Sequence, residues 1–360
     1  MHYQNERNYG CRVSDSWEFR GLKTVIIENE LLRVVVLADK GADVYQLVHK
    51  PTDVDFLFRS PTGVKDPKRF LPTTGDPVGI WMDTYEGGWQ TVFPAGGFPS
   101  TYKEADLGLH AEANLVPWDC EILEDTPECV SARFWVRTSR MPFFFTKTFT
   151  LKSGSAVLEV DQVLKNEAGE EVNCVWGEHI ALGPPFLSED CVIDLPGGLV
   201  VNHVDQFHPN NRLQPGSRTL WPKTVGIDGS DIDISAVPSI DVCTYDMSYF
   251  TEMPEGWYGI TNQKKGVGLG VRYPSEIFPY LWYWQSFGGG TGYPFWGRTY
   301  NIGLEPFSSY PNDGLVNAVN NGTAMRLSAG EEVSASLKIV AYTGQERVSR
   351  ISEDGHVERK

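Results

Sequence analysis

Glycine and proline break this chain so often that a long helix has almost nowhere to form. The 360 residues include 36 glycines and 23 prolines, about one position in six, spread from end to end. Each glycine in a helix interior costs about 1 kcal/mol relative to alanine and each proline about 3 kcal/mol, so helical periodicity does not survive this spacing. Short apolar or alternating runs lie between the breaks instead. Leu31 to Leu37 reads as a strand, Asp39-Lys40-Gly41 as a turn and Ala42 to His49 as the returning strand. From Phe143 to Leu151, residues Phe145, Lys147, Phe149 and Leu151 alternate with Thr146, Thr148 and Thr150, which predicts a half-buried strand. Ala156 to Lys165 runs back, and Val172 to Ile180 reads as a third strand. Met325 to Leu327 and Val333 to Tyr342 form another pair around Ala329-Gly330-Glu331. Strands at this spacing predict an all-β fold, a large antiparallel sandwich.

No compositional shift marks a linker, so residues 1–360 are read as a single domain. The charged segment from about 346 onward is expected to be a mobile tail. The opening Met-His-Tyr-Gln-Asn-Glu-Arg lacks an apolar signal-peptide core, and no run is long enough to span a bilayer. Six cysteines are scattered without a CxxC pair, which points to free thiols in a reducing cytoplasm. The formal net charge of -16 argues against nucleic acid and anionic membranes as partners. A neutral small molecule fits the composition better. Oligomeric state is not legible.

Two irregular regions interrupt the strands, residues 60–118 and 287–310. Trp81, Trp89, Trp118, Trp282, Trp284 and Trp296 lie in or beside them, with Tyr283, Phe287, Tyr293 and Phe295 close by. Long loops within a compact fold carry function more often than strands do. Aromatic faces in a concave site stack on the C–H face of a sugar. Of the seven histidines, His2, His49 and His356 are expected to face solvent, and His203 and His208 flank a polar loop. His110 follows Gly108-Leu109, and His179 ends an apolar strand. Glu305 sits at the end of the apolar run Asn301 to Leu304 and before Pro306, where a carboxylate is expensive unless it is paired or working.

Three segments together resemble the aldose 1-epimerase (galactose mutarotase-like) superfamily. One is Phe149 to Leu182, with Asn166 at a turn and a strand ending in His179. The second is Gly303-Leu304-Glu305-Pro306 followed by Pro311-Asn312. The third is Leu327-Ser328-Ala329-Gly330-Glu331 before the last long strand. Gly108-Leu109-His110 is similar to the context of the family's first histidine, and Gly87 to Pro94 to a segment of its bacterial branches. The resemblance implies a β-supersandwich fold and a mutarotase that interconverts the anomers of a sugar. It implies Glu305 as the base on O1 and His179 as the acid on O5, with no cofactor. It also implies that His110, Trp89, Gln90, Glu112, Trp284 and Arg298 bind the substrate. The family's sugar-contacting arginine has no counterpart here, Arg69 and Lys40 being the candidates.

In this scheme His179 must be held protonated near neutral pH by a carboxylate. Glu305 suits that role better than Glu178, because adjacent strand positions face opposite ways. The functional atoms of His179 and Glu305 are expected about 5–8 Å apart, with a sugar ring within their reach. Two other readings stay open. His110, Glu112, His179 and Glu305 could ligate a metal for a lyase or hydrolase on the same fold. Alternatively, the tryptophans could serve a sugar-binding module without catalysis.

Overall fold

The computed structural model describes residues 7–66 and 69–360. The N-terminal reading and His2 lie outside these residues. The described chain is built almost wholly from antiparallel strands, with only two short α-helices, Pro77–Thr84 and Leu315–Asn320. Two large sheets dominate, one of twelve strands and one of eight. They face each other as a β-supersandwich. Phe145 of the smaller sheet meets Trp176 edge-on at 5.1 Å between ring centres, and Phe149 meets Trp89 of the larger sheet at 6.2 Å. Most predicted strands are present within a residue or two, including Leu32–Leu37, Asp43–His49, Phe143–Lys152, Val157–Asn166 and Glu332–Thr343.

Five strands lie side by side in the middle of the larger sheet: Trp89–Val92, Gly177–Leu182, Tyr300–Phe307, Tyr280–Phe287 and Thr244–Thr251. One face of this block packs on the eight-stranded sheet. The other face is roofed by the Pro77–Thr84 helix and by loops. Because both faces are covered, every residue of Gly177–Leu182 is buried, the ionisable Glu178 and His179 included.

Three expectations need correction. The run from Val172 to Ile180 is two strands, not one. Val172–Cys174 pairs with Met325–Leu327 in a small separate sheet, and the chain bends at Val175-Trp176 before Gly177 joins the large sheet. Gly177 is required there, because a Cβ would overlap the ring of Phe307. The charged segment after 346 is not a loose tail. Val348–Ile351 pairs with Val357–Arg359, and Val348 and Ile351 are fully buried against Trp257 and Tyr342. Asp194 anchors this hairpin by accepting from Arg347 Nε at 3.0 Å, Val348 N at 3.0 Å and Lys360 Nζ at 2.8 Å. Finally, His49 is buried, with Nδ1 2.8 Å from Thr52 Oγ1. Among the described residues no helix is long and apolar enough to cross a membrane.

Candidate active site

A cavity of about 270 Å³ opens on the roofed face of the five-strand block. Strand pairing explains which side chains reach it. In an antiparallel pair, directly opposed residues share a face. Trp282 is opposite Glu305, Trp284 opposite Gly303 and Met247 opposite Trp284, so these side chains and Tyr245 all project to the cavity side. His179 projects the same way from the next strand. The short helix supplies the roof. Asp76 caps it by accepting from Gly79 N at 2.7 Å, Pro77 opens it, and Val78, Trp81 and Met82 present one helical face to the cavity. Phe98, Phe207, Tyr293 and Phe295 add to the walls, and among the described residues no lysine or arginine lines them.

His110, His179 and Glu305 meet at the cavity floor. Glu305 Oε1 is 3.5 Å from His179 Nε2, nearer than the sequence led us to expect. The His110 and His179 ring centres are 5.5 Å apart, and Trp81 lies edge-on to both. Gly303 lets the Glu305 carboxyl fold back over its own strand, because a Cβ there would overlap Oε1. Gly97 fixes His110. Its N–H donates to His110 Nδ1 at 3.1 Å, and its carbonyl accepts from His110 N at 3.1 Å. A neutral His110 therefore carries its proton on Nε2.

Burial governs the charge states. Glu305 is 2% exposed and His179 4% exposed. An ionised pair at this separation would attract, but removing both charges from water outweighs that attraction. Burial pushes the Glu305 carboxyl well above the ordinary range and pulls His179 down to about 4. His110 is also driven well down, by burial and then by the charge of His179. Both shifts run against the charged His179 expected from the sequence: burial favours the neutral imidazole and the protonated carboxyl. Among the described residues Glu305 Oε1 and His179 Nδ1 have no hydrogen-bond partner in another residue.

The other sequence candidates part company. Trp284 lines the cavity with the three floor residues. Trp89 points to the opposite face, where its Nε1–H donates to Glu178 Oε2 at 2.6 Å. Gln90 shares the face of His179 but is tied into a buried cluster, donating through Nε2 to Asp43 Oδ2 at 3.0 Å. Lys40 is locked in the same cluster, 2.8 Å from Asp43 and 3.1 Å from Glu86. Glu112 turns away to accept from Arg140 N at 2.7 Å, and it borders a separate cavity of about 610 Å³. The four-residue metal set is therefore not assembled. Among the described residues no group of three or more His, Cys, Asp and Glu side chains is placed to hold a metal. Arg298 is exposed, and Arg69 lines a different cavity with Arg20. His203 is buried, its Nε2 3.3 Å from Asp313 Oδ1.

Sequence reasoning missed Tyr245, Met247 and Phe207. The period-two spacing of Tyr245, Met247 and Tyr249 was a readable sign of one strand face. Its use as a cavity wall was not readable, because the partner strand lies some forty residues further on.

The fold has clear relatives among solved structures. A candidate aldose 1-epimerase from Klebsiella pneumoniae superposes with a TM-score of 0.71 at 15% identity, covering 93% of this chain and 84% of that one. A galactose mutarotase related enzyme from Lactobacillus acidophilus gives 0.59 at 18% identity, covering 89% and 98%. A galactose mutarotase-like protein from Clostridium acetobutylicum gives 0.60 at 14% identity, covering 93% and 99%. At these identities the likeness is one of fold, the galactose mutarotase-like β-supersandwich. No curated protein matches the chain. With residues 19–226 matched, more than half its length, the chain belongs to the family described as a domain of unknown function, DUF4432.

Proposed function

We propose that this protein is a carbohydrate isomerase that interconverts the anomers of a small neutral aldose. The observation that carries the reading is the Glu305–His179 pair, 3.5 Å apart and buried at the floor of an aromatic cavity. Anomer exchange acts on two oxygens of one carbon, the anomeric O1 and the ring O5. These lie closer together than any hydrogen bond is long, so an acid and a base in near contact suit them. The pair works from one side of the sugar, with the pyranose resting above both groups.

In the neutral pair Glu305 carries the acidic proton and His179 keeps a single ring N–H. Glu305 donates it to O5 as the ring C1–O5 bond breaks, and His179 takes the proton from O1, leaving a C1 aldehyde. Rotation about C1–C2 then presents the other carbonyl face. The O5 hydroxyl attacks C1, Glu305 recovers its proton from O5, and His179 returns its proton to the new O1. Protons and charges balance over the cycle. The direction is the reverse of the one implied by resemblance, because burial favours the uncharged forms. His110, with its Nε2–H free to donate, holds a hydroxyl, and Trp81 and Trp284 offer ring faces. The absence of lysine and arginine from the cavity lining favours an uncharged sugar over a phosphorylated one.

The test is exchange NMR or polarimetry on freshly dissolved pure anomers across a panel of neutral aldoses. Acceleration of at least one, abolished in Glu305→Gln, is expected. Binding without acceleration would make the protein a sugar-binding module, and neither would remove the carbohydrate reading.

A further inference from the structure

His179 can act as a base through Nε2 only if its single proton sits on Nδ1, and a buried Nδ1–H needs an acceptor. Among the described residues no other residue partners His179 Nδ1, and only the main chain of His179 itself hydrogen-bonds the ring. Directly opposite His179 on the neighbouring strand stands Gln90. Opposed side chains in an antiparallel pair have Cβ atoms about 5 Å apart, within reach of each other or of one bridging water. Gln90 is fully buried, and its Oε1 is also without a partner.

The Gln90 amide cannot turn the other way without loss. Its Nε2 donates to Asp43 Oδ2 at 3.0 Å and Glu86 Oε1 at 3.4 Å. Those carboxyls are held by Lys40, whose ammonium also donates to the Asn114 carbonyl at 2.9 Å. With Nε2 committed to two acceptors, Oε1 is the atom left for His179. The cluster of Lys40, Asp43, Glu86 and Gln90 is wholly buried and does not line the cavity, so it touches the reaction only through His179.

We propose that Gln90 is a positioning residue: its Oε1 accepts the Nδ1–H of His179 through one bridging water, and so selects the tautomer that leaves Nε2 bare toward Glu305. The proton assignment concerns the resting protein. Its bearing on catalysis rests on the isomerase reading.

The measurement is long-range proton–nitrogen NMR of histidine-labelled protein, with the His179 signals identified by their loss in His179→Asn. Wild type should show His179 with its proton on Nδ1 and His110 with its proton on Nε2. Isolated imidazole side chains favour Nε2–H, so the first result is not the default. In Gln90→Met the His179 proton should move to Nε2, and kcat for anomer exchange should fall about tenfold with KM little changed. A wild-type His179 protonated on Nε2 overturns the proposal, as does an Nδ1–H that persists in Gln90→Met. If Gln90→Met does not fold, the wild-type spectrum alone decides. If wild type accelerates no sugar, the isomerase reading falls while the tautomer result still stands or falls by itself.

Discussion

Glu178 and His179 are neighbours in one strand, and their side chains enter two different chemical worlds. Glu178 faces the interior between the sheets. It accepts from Trp89 Nε1 at 2.6 Å, Trp176 Nε1 at 3.3 Å and Thr91 Oγ1 at 3.2 Å, and it lies 3.7 Å from Lys147 Nζ. Lys147 also bonds Thr91 Oγ1 and sits within 6 Å of the Trp89, Trp118 and Phe149 ring centres. That constellation is saturated. Across the strand, the cavity floor of His179 and Glu305 leaves polar atoms unpartnered in a space that a ligand can enter. Both groups of ionisable side chains are deeply buried, so burial alone does not mark a site. Unmet hydrogen-bonding capacity beside a cavity does.

The largest expected effect tests the saturated side. Lys147→Met leaves Glu178 buried without its counter-charge and should cost about 3–5 kcal/mol of stability, read by urea unfolding. The kcat of the folded fraction should change far less. A mild loss would mean that the two faces are not as different as their hydrogen bonds indicate.

Glu305→Gln tests the other side and should split the two readouts. Anomer exchange should fall by ~10²-fold or more, because the amide cannot shuttle a proton. Stability should hold or rise by about 1 kcal/mol, since a buried ionisable carboxyl is removed from an apolar site. A loss of stability like that of Lys147→Met would place Glu305 among the structural residues.

Gly303→Ala is subtler. The new Cβ displaces the end of the Glu305 side chain, which is flexible, so stability should change by less than about 1 kcal/mol. Exchange should still fall about tenfold, because the carboxyl no longer rests beside His179. Retention of full activity would loosen the geometric requirement.

The pH dependence of stability separates the two floor residues further. The folded value of His179 is about 4 against an ordinary 6.5. Between these values the unfolded chain binds a proton that the folded chain refuses. Stability therefore falls as pH drops through this window, by up to about 1.4 kcal/mol per unit. Glu305 has the opposite slope: its folded value is raised above 4.5, so the unfolded chain ionises first and stability falls as pH rises above 4.5. His179→Gln should flatten the acid side and Glu305→Gln the alkaline side of a denaturation series. The rate profile should be a bell whose acid limb belongs to His179 and whose alkaline limb belongs to Glu305. Interchanged limbs would restore the charged pair implied by resemblance.

Much of this was legible in the chain. Alternation around Phe145, Lys147 and Phe149 announced a strand with one apolar face, and it placed Lys147 on that face although lysine is polar. The opposed directions of Glu178 and His179 followed from strand geometry alone, and His110, His179 and Glu305 were found through short motifs in order. Trp89 and Gln90 were misread together. They are adjacent, so at most one could face the cavity, and Gln90, which shares the face of His179, is held back by Glu86, four residues before it, and by Asp43, 47 residues before it, both paired with Lys40. Glu112 was grouped with His110, but the segment turns there and sends it to the main-chain N–H of Arg140.

What the amino-acid order determined by itself is local: where strands begin and end, which residues alternate, and which few polar groups stand in apolar surroundings. Those properties depend on backbone sterics and on neighbours one to four positions away. Which face became the sandwich interior and which the cavity was decided only in the assembled sheets. That choice rests on pairings between strands more than a hundred residues apart, such as Gly177 with Phe307, and on a helix laid over one side. The charge states followed the same rule. A histidine and a glutamate in sequence carry their ordinary acidities, and only the removal of water by the folded walls reverses which of them holds the proton.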